Sequence, residues 1–266
     1  MTSRFRQLEY SDLQPEMHNE SGRRRKAAKM LAVLEHFRGS SDLTGTRVVD
    51  LGCSTGFIAD EFRRAGATTI GIDIDAPGLA VANRRFHDQV AFLSADGQAL
   101  PFPTGTIDIV VFNHIYEHVV DADAVMAEIV RVLRPGGLAY LGLGNRWGVI
   151  EPHYGLPFLS WLPPRAANRY IRLFSRADGY YERFRGPRGL RRMVRHLTVW
   201  DYTETVLTDP EAFAADDLVP GPLRHLPARA WRVGRPLTPT FIWVGVRGDG
   251  APAGRQARTP PRVLGG

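Results

Sequence analysis

The feature that most constrains this chain is an alternation. Between Thr46 and Leu143, short runs rich in Val and Ile recur at regular intervals, and the stretches between them carry apolar residues at helical spacing. The runs fall at residues 47–51, 68–72, 90–93, 107–112 and 138–143, all of strand length. The intervening stretches are 56–65, 77–86 and 122–133. In the first, Ile58, Ala59, Phe62 and Ala65 share a face; in the last, Val125, Met126, Ile129, Val130 and Leu133 do so. Strand alternating with helix predicts a parallel, doubly wound α/β sheet, because parallel neighbours need a crossover and a helix supplies it. A leading helix over residues 20–37 turns Ala27, Met30, Leu31, Leu34 and Phe37 inward. It ends at Gly39, the residue type that suits a left-handed cap.

After the fifth run the rhythm breaks. Residues 145–186 are dense in aromatic residues and proline, more than a simple connection needs, and read as a lid inserted after the fifth strand. A short helix near 190–196 and strands at 199–207 and 241–246 then return to the sheet, around a second irregular stretch with Leu223, Leu226, Trp231 and Pro236. The predicted organisation is a helical cap over 1–45, a ligand-binding core over 46–144, the lid over 145–186 and the rest of the core sheet over 187–247. Residues 248–266, rich in Pro, Gly and Arg, read as a disordered basic tail.

Charge narrows the partners. The formal net charge is +6, divided as −2 over residues 1–150 and +8 over 151–266. Every cation of the second half is arginine, and Lys26 and Lys29 are the only lysines. Codon usage at high GC content accounts for the arginine bias, while the asymmetry still points the C-terminal half toward something anionic. The single cysteine, Cys53, excludes an intrachain disulfide and a cysteine-built zinc site. No eighteen apolar residues run together, and residues 1–20 lack an apolar stretch behind a basic start, so a cytoplasmic location is expected.

The first strand leads into Asp50-Leu51-Gly52-Cys53-Ser54-Thr55-Gly56, which places small residues where strand must turn sharply into helix and lets a ligand approach the backbone. About twenty residues on, Gly71-Ile72-Asp73 ends the second strand with an acid suited to a ribose diol. Asp96-Gly97 follows the third strand, where a carboxylate suits an exocyclic adenine amine. A nicotinamide fingerprint fails, because Gly52, Ser54 and Phe57 stand where three glycines are needed, and no P-loop Gly-Lys-Ser/Thr is present.

These motifs resemble the class I S-adenosylmethionine-dependent methyltransferases over residues 46–145, with Asp108-Ile109-Val110-Val111-Phe112-Asn113 as the fourth strand and Leu133-Arg134-Pro135-Gly136-Gly137 as the turn before the fifth. Ser54 departs from the glycine usual there. Through Tyr116-Glu117-His118-Val119 the chain is most similar to the ubiquinone-pathway O-methyltransferase type. The resemblance implies a seven-stranded Rossmann-like sheet whose last strand, 241–246, is antiparallel. It implies S-adenosylmethionine as cofactor, held by Asp50, Gly52, Cys53, Ser54, Gly56, Asp73, Ile74, Asp96, Gly97 and Asn113. It also carries a divalent metal onto His114, Glu117 and His118, where His114 replaces a Glu and favours a softer ion such as zinc over magnesium.

A hydroxyl acceptor needs a base with a pKa near neutrality. His153, in Glu151-Pro152-His153-Tyr154 at the start of the lid, is the first candidate and His114 the second. In the lid, Arg165, Arg169, Arg172 and Arg176 share one helical face opposite Ala167, Tyr170, Ile171 and Phe174, behind the apolar segment 156–162. Either the aromatics fold inward over a soluble metabolite, or they enter a lipid boundary while the arginines meet anionic headgroups. The expected acceptor is therefore small or lipid-linked, with a peripheral position at the inner membrane face in the second case. Three alternatives remain: N-methylation of a soluble metabolite, a nucleic-acid methyltransferase using the basic half, and a protein that binds the cofactor without catalysis. Nucleic acid is disfavoured, because Asn113-His114-Ile115-Tyr116 stands where base-modifying enzymes carry Asn/Asp-Pro-Pro-Tyr/Phe.

Overall fold

The structure is a computed structural model in which residues 7–174, 179–219, 221–222 and 226–265 are described. Five strands, β1 (Arg47–Leu51), β2 (Thr68–Asp73), β3 (Ala91–Ser94), β4 (Ile107–Asn113) and β5 (Leu133–Gly144), pair in parallel in the order β3-β2-β1-β4-β5. Beyond β5 lie β7 (Thr240–Val246), antiparallel to it, then β6 (Thr198–Asp201) and a short β8 (Arg262–Val263). The expected doubly wound sheet with an inserted antiparallel strand is present, and it has eight strands instead of seven.

Side chains alternate between the two faces of the sheet. Val49, Leu51, Val110 and Phe112 point to one side, against Val125, Met126, Ile129 and Val132 of α5 (Ala122–Val132) and Leu190 and Met193 of α7 (Pro187–Met193). Val48, Ile109 and Val111 point to the other, against Met30, Val33, Leu34 and Phe37 of α2 (Glu20–Arg38) and Ile58 and Phe62 of α3 (Phe57–Arg64). Burial on both faces is what the unbroken Ile-Val-Val-Phe run of β4 requires. Asn19 caps α2 by accepting from the Gly22 amide at 3.0 Å, and Gly39 ends it at φ 71°. A turn of helix, α1 (Tyr10–Leu13), precedes α2, and α4 (Ala76–Phe86) connects β2 to β3.

Two expectations need correction. Residues 199–207 are not one strand, since the chain leaves the sheet after Asp201, whose Oδ1 accepts from the Thr203 amide at 2.9 Å, and continues as α8 (Thr203–Thr208). Tyr202 and Val206 are four apart and both fully buried, a helical spacing inside what looked like a β-rich run. The basic tail is docked. The amides of Ala253 and Gly254 donate to the carbonyls of Phe37 and His36 at 2.9 and 2.8 Å, and that of Leu264 to Val199 at 2.8 Å, beside β8. Its Pro-Gly composition signals a lack of core side chains, but the open edge of β6 pairs through backbone alone.

The lid contains α6 (Pro164–Phe174), from which Ala167 and Ile171 pack on Leu159 as expected. Phe174, placed opposite the arginines with either an inward or a lipid-facing role, is 66% exposed, and Leu173 beside it 68%. Arg176 lies outside the described residues. Among the described residues no helix is long and apolar enough to cross a membrane.

Candidate active site

Two cavities open at the carboxyl ends of the parallel strands. The first is lined by Gly52 and Ser54 after β1, Asp73 and Ile74 at the end of β2, and Asn113, His114, Ile115, His118 and Val119 after β4. Gln7, Tyr10, Met17, Arg23 and Lys26 close it from the N-terminal segment, and Pro152 and His153 from the lid. The second is lined by Lys26, Lys29 and Met30 of α2, by Tyr140, Thr203 and Leu207, and by Asp217, Leu218, Trp231, Thr238, Pro239, Thr240 and Ile242 around β7. It shares Lys26, Asn113 and His114 with the first.

The cofactor turn is built from left-handed residues: Gly52 at φ 82°, Ser54 at 45° and Gly56 at 80°. A Cβ on Gly56 would stand 2.7 Å from the Phe92 ring and 2.9 Å from Ala82, so only glycine fits there. Ser54 accepts the strained conformation, and its Oγ donates to Asp75 Oδ2 at 3.3 Å. Its amide donates to Asp73 at 2.7 Å, as do the amides of Ile74 at 2.7 Å and Asp75 at 2.9 Å. Three backbone donors thus fix the carboxylate expected to hold a ribose. Burial nevertheless raises the Asp73 pKa, the three bonds offsetting only part of it.

Beneath the turn, burial, with the Asp73 charge adding and Arg23 opposing, pushes the Asp50 carboxyl up to about 7. Its Oδ2 and the Nε of buried Arg23 have no hydrogen-bond partner. Arg23, which lines the first cavity with an unpartnered Nε, fits the carboxylate of a zwitterionic amino-acid tail, and Asp73 fits a diol. These residues therefore suit S-adenosylmethionine. Arg23, Lys26, Tyr10 and Met17 were not among the expected site residues; their only sequence signal is their place on the leading segment. Cys53 is buried, and burial raises its thiol pKa. Neither Cys53 nor Asp50 nor Gly56 lines the cavity directly. Asp96 and Gly97 are not brought to it either: Asp96 is exposed and accepts from the Gln98 amide at 2.9 Å within its own loop.

Four side chains meet where the loops after β4 and β5 converge. Glu117 is buried, with Oε1 3.0 Å from His114 Nδ1 and 3.9 Å from His153 Nε2. His118 Nε2 lies 3.1 Å from His153 Nε2, and His153 Nδ1 lies 2.9 Å from Oε1 of the buried Glu151. Burial pushes the Glu117 carboxyl up, but the His114 hydrogen bond and the surrounding imidazoles outweigh it and hold the group at about 2. Burial pulls His118 down to about 4, with His153 and His114 adding and Glu117 opposing. For His153 burial acts downward too, yet the Glu151 bond and Glu117 raise it overall. The ligand atoms that come within 4.8 Å of one another belong to His114, Glu117 and His153, whereas the expected metal set named His118 in place of His153.

The cofactor reading has a direct check. In calorimetry S-adenosylhomocysteine binds the full chain, and Asp73→Ala weakens it by about 1–3 kcal/mol. Unaltered affinity in the variant, or preferential binding of NAD, refutes the ribose assignment.

Comparison with known proteins agrees with this geometry. Residues 49–141 match the family model described as a methyltransferase domain. An uncharacterized methyltransferase of Mycolicibacterium gilvum is 34% identical over 152 residues, covering 55% of this chain and 59% of its own. The ubiquinone biosynthesis O-methyltransferase of Bradyrhizobium sp. is 32% identical over 131 residues, covering 46% and 50%, and that of Nitrosococcus oceani 30% over 157 residues, covering 54% and 64%. The chain thus spans between half and two-thirds of these relatives. Among solved structures, the YcgJ protein of Bacillus subtilis superposes with a TM-score of 0.51 at 17% identity, covering 83% of this chain and 99% of that one. The 4+2 cyclase SpnF superposes at 0.53 and 17%, covering 85% and 81%. Such likeness establishes the fold alone. The sequence match places a methyltransferase domain at residues 49–141 of this chain.

Proposed function

We propose that this chain transfers a methyl group from S-adenosylmethionine to a hydroxyl of a small amphipathic acceptor, with His114 taking the hydroxyl proton. The observation that carries the reading is the place of His114: it lines both cavities, and its ring spans Glu117 and the second cavity's wall. With Nδ1–H donating to the ionised Glu117, Nε2 is left as an acceptor, 3.3 Å from Thr240 Oγ1. The cofactor, when bound, supplies a methyl group already activated as a sulfonium. What the protein adds is alignment, which can contribute about 7–11 kcal/mol, and a proton acceptor. Glu117 stabilises the imidazolium that forms, because its own pKa of about 2 keeps it anionic.

His153, the first candidate from sequence, has both ring nitrogens engaged, by Glu151 and His118, as His114 has by Glu117 and Thr240, but it lines only the first cavity. His114 is thus the better placed base. Its φ of 56° makes asparagine the suitable replacement, since Asn tolerates that conformation. The expected result is a fall in kcat of about 10²–10⁴-fold for His114→Asn with cofactor affinity unchanged, and less than about tenfold for His153→Ala. The reverse order returns the role to His153.

A second reading has one observation behind it, the convergence of His114, Glu117 and His153 within 4.8 Å. Two imidazoles and a carboxylate suit zinc, which would then fix the loops or polarise an acceptor oxygen. Loss of wild-type activity on chelation, restored by zinc, favours this reading over the proton acceptor.

Access from an anionic lipid surface is supported by the exposed rim of the lid. Phe158 is 48% and Trp161 37% exposed, on the same insertion as Leu173 and Phe174, and Arg165, Arg169 and Arg172 of α6 are exposed beside them. The protein is expected to co-float with anionic vesicles at low salt, less so as salt rises, and less when the three arginines are changed to glutamine. Failure to float at low salt makes the rim a cover for a soluble metabolite.

A further inference from the structure

We infer that the second cavity is the acceptor site and that it selects acceptors bearing an acidic group, paired with Lys26. This rests on the methyl-transfer reading of the first cavity. Lys26 and Lys29 are the only lysines among 34 basic residues, and both line this one cavity from a single helix. Their states differ. Lys29 Nζ meets both oxygens of Asp217 at 2.6 and 2.7 Å, so that pair is electrically closed. Among the described lining residues Asp217 is the only acid, and it is thereby spent. Lys26 has no hydrogen bond or ion pair with any of the described residues, which makes it the one unpaired lysine of the described lining.

The rest of the wall is largely apolar, with Met30, Tyr140, Leu207, Trp231 and Ile242. Lys26 is an exposed residue whose charge is only partly desolvated, and an anion seated against this largely apolar wall gains from it where the local dielectric is reduced. Desolvation, with Arg23 and Lys29 adding and Glu16 and Asp217 opposing, holds the Lys26 ammonium below the usual lysine range, as befits a cation without a close partner. The cofactor end already has its own buried cation in Arg23, near Asp50 and Asp73. Lysine, a point charge on a flexible stem, suits an anion that arrives with varied bodies better than arginine's rigid fork does. The Trp231 and Tyr140 rings offer apolar surface to the remainder of the molecule. Because Lys26 and His114 both line the two cavities, the favoured acceptor is a hydroxylated aromatic or similarly apolar acid that reaches from the lysine to the histidine.

The test uses the full chain saturated with S-adenosylhomocysteine, titrated calorimetrically with 3,4-dihydroxybenzoate, 4-hydroxyphenylacetate and the neutral amide of each. At least one acid is expected to bind about tenfold or more tighter than its amide. Lys26→Gln should bring that ratio to within about twofold of one, while Lys26→Arg retains it and both variants keep the wild-type melting temperature. The inference is overturned if no acid binds, if acid and amide bind equally to the wild type, or if the preference survives in Lys26→Gln. It also fails if Lys26→Gln weakens S-adenosylhomocysteine by the same factor, because the lysine then serves the cofactor. Absence of S-adenosylhomocysteine binding to the wild type removes the underlying methyl-transfer reading as well, so the two failures are told apart in one titration series.

Discussion

A buried carboxylate that makes no ion pair with a lysine or arginine among the described residues, Glu117, organises the carboxyl edge of this sheet. Removing an ionised carboxyl from water costs several kcal/mol unless it is paired. Here the compensation comes from His114 on its own loop and from His153, which reaches in from the loop after β5. His153 is in turn held by Glu151, whose Oε2 accepts the amides of His153 and Tyr154 at 2.9 and 2.7 Å. The Glu117 carbonyl accepts from the Arg183 amide at 2.9 Å, which brings the end of the lid to the same point. Two loops and the lid therefore share one electrostatic centre. Replacing the Glu117 side chain would release His114 and His153, though the backbone carbonyl would still accept from Arg183, and would leave His114 without the partner that sets its tautomer.

Much of this architecture was legible because it depends on short-range pattern. Strand positions, the crossover helices and the glycine turn follow from periodicity and small residues, the antiparallel 241–246 strand from the family resemblance, and Asp73, the acid expected to hold a ribose, stands where the second strand must end. What was not legible depends on pairing across long distances. The β8 segment has no strand composition and exists because β6 leaves an open edge. The helix after Asp201 hid in a run rich in Val, Tyr and Thr, all good strand formers. That His153, and not His118, completes the convergent set depends on where the lid folds back, which spacing along the chain does not encode. Lys26 and Lys29 were visible as the only two lysines, yet codon usage explained them equally well until both proved to face one cavity.

The fold by itself leaves the chemistry open, since a 4+2 cyclase and methyltransferases superpose on the same sheet. What points to methyl transfer is the local constellation: a carboxylate gripped by three amides, a buried Arg23 and Asp50 with unmatched polar atoms, and a histidine between two cavities. The second cavity is lined mostly by residues outside the matched domain, chiefly from α2 and the connection from β6 to β7, with Asn113, His114 and Tyr140 inside it. That division explains why relatives matched over their cofactor half say little about the acceptor.

The central claim is that His114 stands between a bound methyl donor and a nucleophilic oxygen. It is tested most directly by incubating the protein with methyl-deuterated S-adenosylmethionine and a small-molecule extract, then searching by mass spectrometry for species that gain one labelled methyl on oxygen. The account predicts a labelled O-methyl product that is formed by the wild type and is lost, or falls by about 10²-fold or more, with His114→Asn. No labelled product above a heat-inactivated control, or equal labelling by the variant, would contradict it.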